Sequence, residues 1–294
     1  MKPQSDPKVD YAFKHVFGRE QGRAALMSLL DAVLQPAAGR EIAGLELLNP
    51  FNDKETLDDK LSILDIKARD QSGRQFNVEM QMLAYGAFPQ RALYYWSRLH
   101  QSQLQEGMNY HVLRPTIAIC FVDTSLFPDV PDHHLVFELR ERRHQTLFTD
   151  QLAVHILELP KFDKTVDDLA TPLDRWLFFL RHAQDLDEEA LPEPLDVAEV
   201  RWALGDLIMI TQSDEDRERY ESRLKMQRDV YTALFEAREE GRAEGQIARI
   251  QSFQRLLREE VTALEQLRAL SPVELESLAA RLESELNAKL TNGS

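Results

Sequence analysis

The chain has 294 residues, 43% of them hydrophobic, and a formal net charge of −15. That length predicts about two domains, the single cysteine (Cys120) excludes an intrachain disulfide framework and fits a reducing compartment, and the acidity argues against broad coating of a polyanion. The charge is uneven: residues 1–125 carry 14 Lys+Arg against 15 Asp+Glu, a balance of −1, while residues 126–294 carry 21 against 35, a balance of −14. A local polyanion site is therefore compatible with the first part and not with the second.

The N-terminus, MKPQSDPKVD, has no apolar leader segment, so a cytoplasmic location is expected. Residues 10–34 predict a helix, with an apolar stripe at Leu26, Leu29, Leu30 and Val33 and stop signals at Pro36 and Gly39. EIAGLELLNP (41–50) reads as a strand. LSILDIKARD (61–70) and RQFNVEMQM (74–82) read as two more, separated by QSG. FPQRALYYWSRLHQSQLQEG (88–107) has proline near its start and glycine at its end, which is helix punctuation. RPTIAICFVD (114–123) predicts a buried strand, and its apolar run is far too short to span a membrane. HHLVFELRE (133–141) and LAVHILELP (152–160) predict two further strands. The order predicts an α/β layered fold with a mixed central sheet flanked by helices.

The character changes after residue 165. DRWLFFLRHAQ is helical, DLDEEALPEPLD (185–196) is an acidic connector, and residues 197–294 have helical spacing throughout. Three parts are expected: a catalytic-type domain over 1–165, a helix and connector over 166–196, and a helical assembly or regulatory region over 197–294. In that last part SPVE (271–274) predicts a capping box. The tail packs on itself or on a second copy, so a homo-oligomer through these helices is expected.

The hairpin carries the chemistry. A three-residue loop ending in glycine favours the left-handed conformation at Gly73. It sets a register in which opposite residues sum to 144, so Asp65 faces Glu79 and Lys67 faces Asn77. Side chains alternate along a strand, so Asp65, Lys67, Asn77, Glu79 and Gln81 share one face, while Leu64, Ile66, Val78, Met80 and Met82 share the other as core. Carboxylates that close repel unless a proton or a cation lies between them. A hard divalent cation such as Mg²⁺ matches the oxygen donors; pairing of Glu79 with Lys67 or an arginine is the alternative. Arg91, Tyr95, Arg98 and Gln101 form a polar strip on the following helix, placed for phosphate contact. Trp96, Leu93 and Leu99 read as core. Asp10 and Lys14, one turn apart, pair with each other or join the site. The histidines show no metal spacing: His133 and His134 are adjacent, and His111, His144 and His155 have no partner at a useful spacing.

DYAFKHVFG (10–18), the LDIKARD…FNVEMQ hairpin and RALYYWSRLHQSQLQEGMNYHVLRPTIAICFVD (91–123), in this order, resemble the Rpn group of recombination-promoting nucleases, also described as transposases, within the PD-(D/E)xK nuclease superfamily. The resemblance covers roughly residues 6–160 and, loosely, the glycine-punctuated EEGRAEG tail. It implies a restriction-endonuclease-like core and a metal-dependent DNA endonuclease linked to recombination, horizontal gene transfer or phage defence. Asp65, Glu79 and the Met80 main-chain carbonyl would hold Mg²⁺, with Mn²⁺ or Ca²⁺ as substitutes. Asp10 and Lys14 would be a completing acid and a second cation. The superfamily lysine is replaced by Gln81, which the Rpn group also carries. Lysine orients water and offsets phosphate charge, whereas glutamine only hydrogen-bonds; Lys67, on the same face, either substitutes for it or pairs with nearby acids. The competing readings are a catalytically degenerate DNA- or protein-binding module and a transposase-like strand transferase.

Overall fold

The computed structural model describes residues 1–49, 51–52, 62–63, 65–82 and 87–292. By contacts it comprises two compact units, Met1–Leu224 and Lys225–Ser294.

The first unit is built on a six-stranded mixed sheet in the order β1-β4-β5-β6-β8-β7, with β1 (Leu45–Leu48), β4 (Ile66–Asp70), β5 (Gln75–Gln81), β6 (Thr116–Val122), β7 (His134–Glu138) and β8 (Leu152–Glu158). β5, β6 and β8 run parallel, and the other pairings are antiparallel. A short separate pair joins β2 (Phe51–Asn52) to β3 (Ser62–Ile63), so the expected strand over 61–70 is two pieces. Leu64, expected in the core, lies outside the described residues.

Helices cover both faces of the sheet, as the fold class requires. On one face α1 (Asp10–Phe17), α2 (Arg23–Leu34), α4 (Pro172–His182) and α5 (Ala198–Met209) close over Ile66, Ala68, Phe76, Val78 and Met80. On the other, α3 (Phe88–Gln101) buries Phe88 and Ala92 against Ala118, Cys120, Val122, Val154 and Ile156. The segments after residue 165 thus contribute α4 and α5 to the same core as the N-terminal helices.

The single helix expected over 10–34 is broken. A Cβ at Gly22 would lie 1.9 Å from the Val16 carbonyl oxygen, so only glycine lets the chain fold back tightly there. Phe13 and Phe17 are fully buried as expected, whereas Leu93, read as core, is 51% exposed on the outer side of α3. Leu99 is buried and Trp96 is half-buried, its Nε1–H donating to the Thr116 carbonyl at 2.8 Å. His155, expected to lack a partner, lies 3.0 Å from His134 through their Nδ1 and Nε2 atoms, because the two sit diagonally across the β7–β8 ladder. Burial lowers the pKa of both, that of His155 to about 4, so the pair is uncharged near neutrality.

The second unit holds its own core. Ile247, Ile250 and Leu257 of the long helix α6 (Asp214–Leu257) pack with Leu267 of α7 (Leu264–Arg268) and with Leu275, Ala279 and Leu282 of α8 (Pro272–Asn292). The expected capping box forms: Glu274 Oε2 accepts from Ser271 N at 2.7 Å, and Ser271 Oγ accepts from Glu274 N at 3.4 Å. No helix among the described residues is long and apolar enough to cross a membrane.

Candidate active site

Gly73 turns the hairpin with φ +88°, as its loop chemistry demands. Asp70 N–H donates to the Arg74 carbonyl at 3.0 Å, and the ladder pairs Ile66 with Val78 and Lys67 with Asn77, the register read from the sequence. Asp65 stands just before β4, and Glu79 lies inside β5.

Their surroundings differ sharply from those of an ordinary surface pair. Glu79 is 2% exposed, and its Oε1 accepts from Asn77 Nδ2 at 2.8 Å. Its other oxygen, Oε2, is buried with no hydrogen-bond partner among the described residues. Burial, and after it the neighbouring Asp65 charge, pushes the Glu79 pKa up to about 7. Asp65 accepts from Lys14 Nζ at 2.9 Å through Oδ1 and from Met80 N–H at 3.0 Å through Oδ2. Burial raises its pKa, and Lys14 opposes the rise.

The Asp65–Met80 hydrogen bond has a further consequence. A strand residue points its N–H and C=O to the same side. Met80 therefore directs its carbonyl toward Asp65, beyond the last β4–β5 ladder pair, Ile66↔Val78.

Helix α1 brings in the N-terminal candidates. Lys14 Nζ lies 3.9 Å from Asp10 Oδ2, so it bridges Asp10 and Asp65 rather than pairing with Asp10 alone. Lys67 lies on the acid face, beside Asn77 in the ladder. Gln81 does not stand free in the place of a lysine: its Oε1 accepts from Arg91 Nη2 at 2.9 Å. Tyr95 is half-buried one turn beyond Arg91 on α3, and its pKa is raised by burial and then by the Glu79 charge. Arg98 is half-buried and Gln101 exposed on the same helix. The structure thus gathers Asp10, Lys14, Asp65, Glu79, Gln81, Arg91 and Tyr95 around one end of the hairpin.

Two neighbours were not singled out from the sequence. Asn77 holds Glu79, and the signal was present, since it sits two residues away on the same strand face. Arg223, whose Nε is 4.0 Å from Asp10 Oδ2, comes from the start of α6 and has no sequence signal. Cys120 faces Glu79 across the parallel ladder, fully buried, with its thiol pKa pushed well up by burial and then by the Glu79 and Asp65 charges. It is uncharged and unreactive.

A mixed sheet with helices on both faces, with one carboxylate inside β5 and another just before β4, is consistent with a nuclease-type α/β domain. The model of the PD-(D/E)XK nuclease family transposases matches residues 7–237, and the chain belongs to that family. Comparison with curated proteins matched nothing, and neither did comparison with solved structures. Membership assigns a nuclease or transposase-like function with DNA as the family's substrate. Nucleases of this type generally use divalent metals.

Proposed function

We propose that the chain is a Mg²⁺-dependent DNA endonuclease whose centre is the Asp65–Glu79 pair. The observation that carries this is the orphaned Glu79 Oε2, buried beside a second carboxylate. A buried acceptor without a partner is costly, and a cation would satisfy it. No group of three or more His, Cys, Asp or Glu side chains suited to a metal occurs among the described residues. Two carboxylates still suffice for Mg²⁺, which keeps several waters and takes further oxygens from a phosphate. Asp65, Glu79 and the Met80 carbonyl would hold it, with Mn²⁺ or Ca²⁺ as substitutes. When bound, such an ion polarises a phosphoryl oxygen and lowers the pKa of a bound water.

The chain's own residues supply the rest. Lys14 fixes Asp65 and offers a positive charge where the superfamily lysine is missing. Gln81, aimed by Arg91, accepts a hydrogen bond and with its amide orients the attacking water. Lys67 adds charge on the same face. Asp10 holds Lys14 in place. Tyr95 and Arg98, with Arg91 and Gln101, contact the phosphate backbone along α3. That so acidic a chain binds DNA here is consistent with its near-neutral first 125 residues.

Cutting both strands calls for two centres, and we assign an assembly role to the C-terminal helices. Met226, Val230, Tyr231, Leu234 and Phe235 stand exposed along α6. Replacing Val230 and Leu234 with glutamate should lower the solution mass; an unchanged oligomer would refute this surface. Plasmid cleavage by wild type and Glu79→Ala in Mg²⁺, Mn²⁺, Ca²⁺ or EDTA tests the nuclease assignment. Metal-dependent cutting that vanishes in the variant supports it. DNA binding without cutting in any metal moves the assignment to a degenerate binding module, and joining of marked ends moves it to strand transfer.

A further inference from the structure

The sheet ends at β7, and nothing among the described residues covers that edge: residues 136–148 are exposed throughout. The exposed side chains include Val136, Phe137, Leu139, Leu147 and, at 78%, Phe148. A bare apolar edge strand is a template for pairing with another chain. Its backbone polarity can be read from the ladder. Glu158 N–H donates to the His133 carbonyl, so the odd-numbered residues of β7 turn their polar groups toward β8. The N–H and C=O of His134, Val136 and Glu138 therefore point outward.

We infer that β7 is the pairing edge for a second copy of this chain, joined antiparallel about a two-fold axis at Val136. The Asp132–Arg140 charge pair supports that partner and that register. With Val136 opposite itself, His134 meets Glu138, Leu135 meets Phe137 and Asp132 meets Arg140, at both ends alike. Shifting the axis toward residue 135 sets Asp132 against Glu138. Placing it at residue 138 sets Glu138 against its own copy. Like charges directly opposite destabilise a ladder, and opposite charges support it. Within one copy Arg140 already pairs with Glu138 at 2.6 Å, so each end of the joint becomes a cluster of Glu138, Arg140 and the second copy's Asp132 and His134. The joint leaves both acid pairs outside it, since Asp65 and Glu79 belong to strands separated from β7 by β6 and β8.

Oxidative cross-linking of the full chain tests this directly, because the single native cysteine, Cys120, is buried. Hydrogen-bonded partners across an antiparallel pair stand about 5.5 Å apart at Cα, within disulfide range. Val136→Cys should cross-link most of the chain as a dimer. Leu139→Cys is comparably exposed, but its two copies would lie roughly 20 Å apart, six residues at about 3.4 Å each, and it should not cross-link. In the Val136→Cys background, Arg140→Asp should cut the yield several-fold, and adding Asp132→Arg should restore it. Equal cross-linking at 136 and 139, or none at 136, overturns the inference whatever the C-terminal helices do. So does a yield that ignores the charge reversal.

Discussion

The two ends of the β4–β5 hairpin carry buried acids in opposite states. At the turn, Asp70 is fully satisfied: its Oδ1 accepts from Ser72 N, Ser72 Oγ and Arg74 N at 2.9, 2.8 and 2.9 Å, and its Oδ2 from Arg74 Nε at 2.6 Å. At the open end, Glu79 receives a single side-chain N–H and leaves one oxygen unpartnered beside a second carboxylate. Glu158, on β8, differs from both: its Oε1 accepts from Phe127 N–H at 2.9 Å, and its Oε2, which has no hydrogen-bond partner of good geometry among the described residues, is neutralised by the Lys161 ion pair. Asp70 is neutralised by donors from its own turn and Glu158 by a cation three residues away, whereas Glu79 has neither among the described residues, and the proposed metal would fill that gap.

The largest expected effect separates the two ends by activity. Asp65→Ala and Glu79→Ala remove groups proposed to hold the metal, and metal stabilisation of a transition state is worth several kcal/mol. Cleavage should fall by about 1000-fold or more, measured as plasmid nicking at matched folded fraction. Asp70→Ala should do the reverse. It loses charge-assisted hydrogen bonds worth roughly 2–3 kcal/mol, read as a lower urea midpoint with unchanged slope, while the folded fraction keeps its cleavage rate.

A second contrast concerns pH. The folded Glu79 pKa lies near 7, above its ordinary 4.5, so the folded chain keeps a proton that the unfolded chain releases. In chelator, stability should therefore be greatest below about pH 4.5 as far as this group is concerned, fall as pH rises toward 7, and change no further above it. The loss is at most about 3–4 kcal/mol, at about 1.4 kcal/mol per pKa unit. Glu79→Gln should flatten this slope in thermal melts, and Mg²⁺ should raise the wild-type midpoint more at pH 8 than at pH 5.5. A smaller effect is expected at Lys14. Lys14→Met removes the cation on Asp65 and should reduce cleavage by about 10- to 100-fold, a loss of one bound-charge contact of about 1.5–3 kcal/mol. Lys14→Arg should recover part of it.

Much of the hairpin geometry is legible in the sequence. The Gly73 turn fixes the register, alternation fixes the faces, and the two together place Asp65 against Glu79. What was not legible has physical reasons. The break at Gly22 depends on a carbonyl brought close by tertiary folding. Lys14 bridging Asp10 to Asp65 depends on how α1 settles on the sheet, and Arg223 reaching Asp10 on how the start of α6 meets α1. Leu93 sits at a helical spacing that suits a core, yet α3 presents it outward because Phe88, Ala92 and Trp96 already fill the face toward β6 and β8. The His134–His155 contact joins strands whose ladder register a single sequence does not specify.

Cleavage of supercoiled plasmid in Mg²⁺ by Asp65→Ala and Asp70→Ala, side by side and at equal folded concentration, tests the difference between the two ends most directly. An inactive but fully folded Asp65→Ala beside an active, less stable Asp70→Ala is the predicted result. Wild-type cutting by Asp65→Ala, or loss of cutting in folded Asp70→Ala, would contradict it.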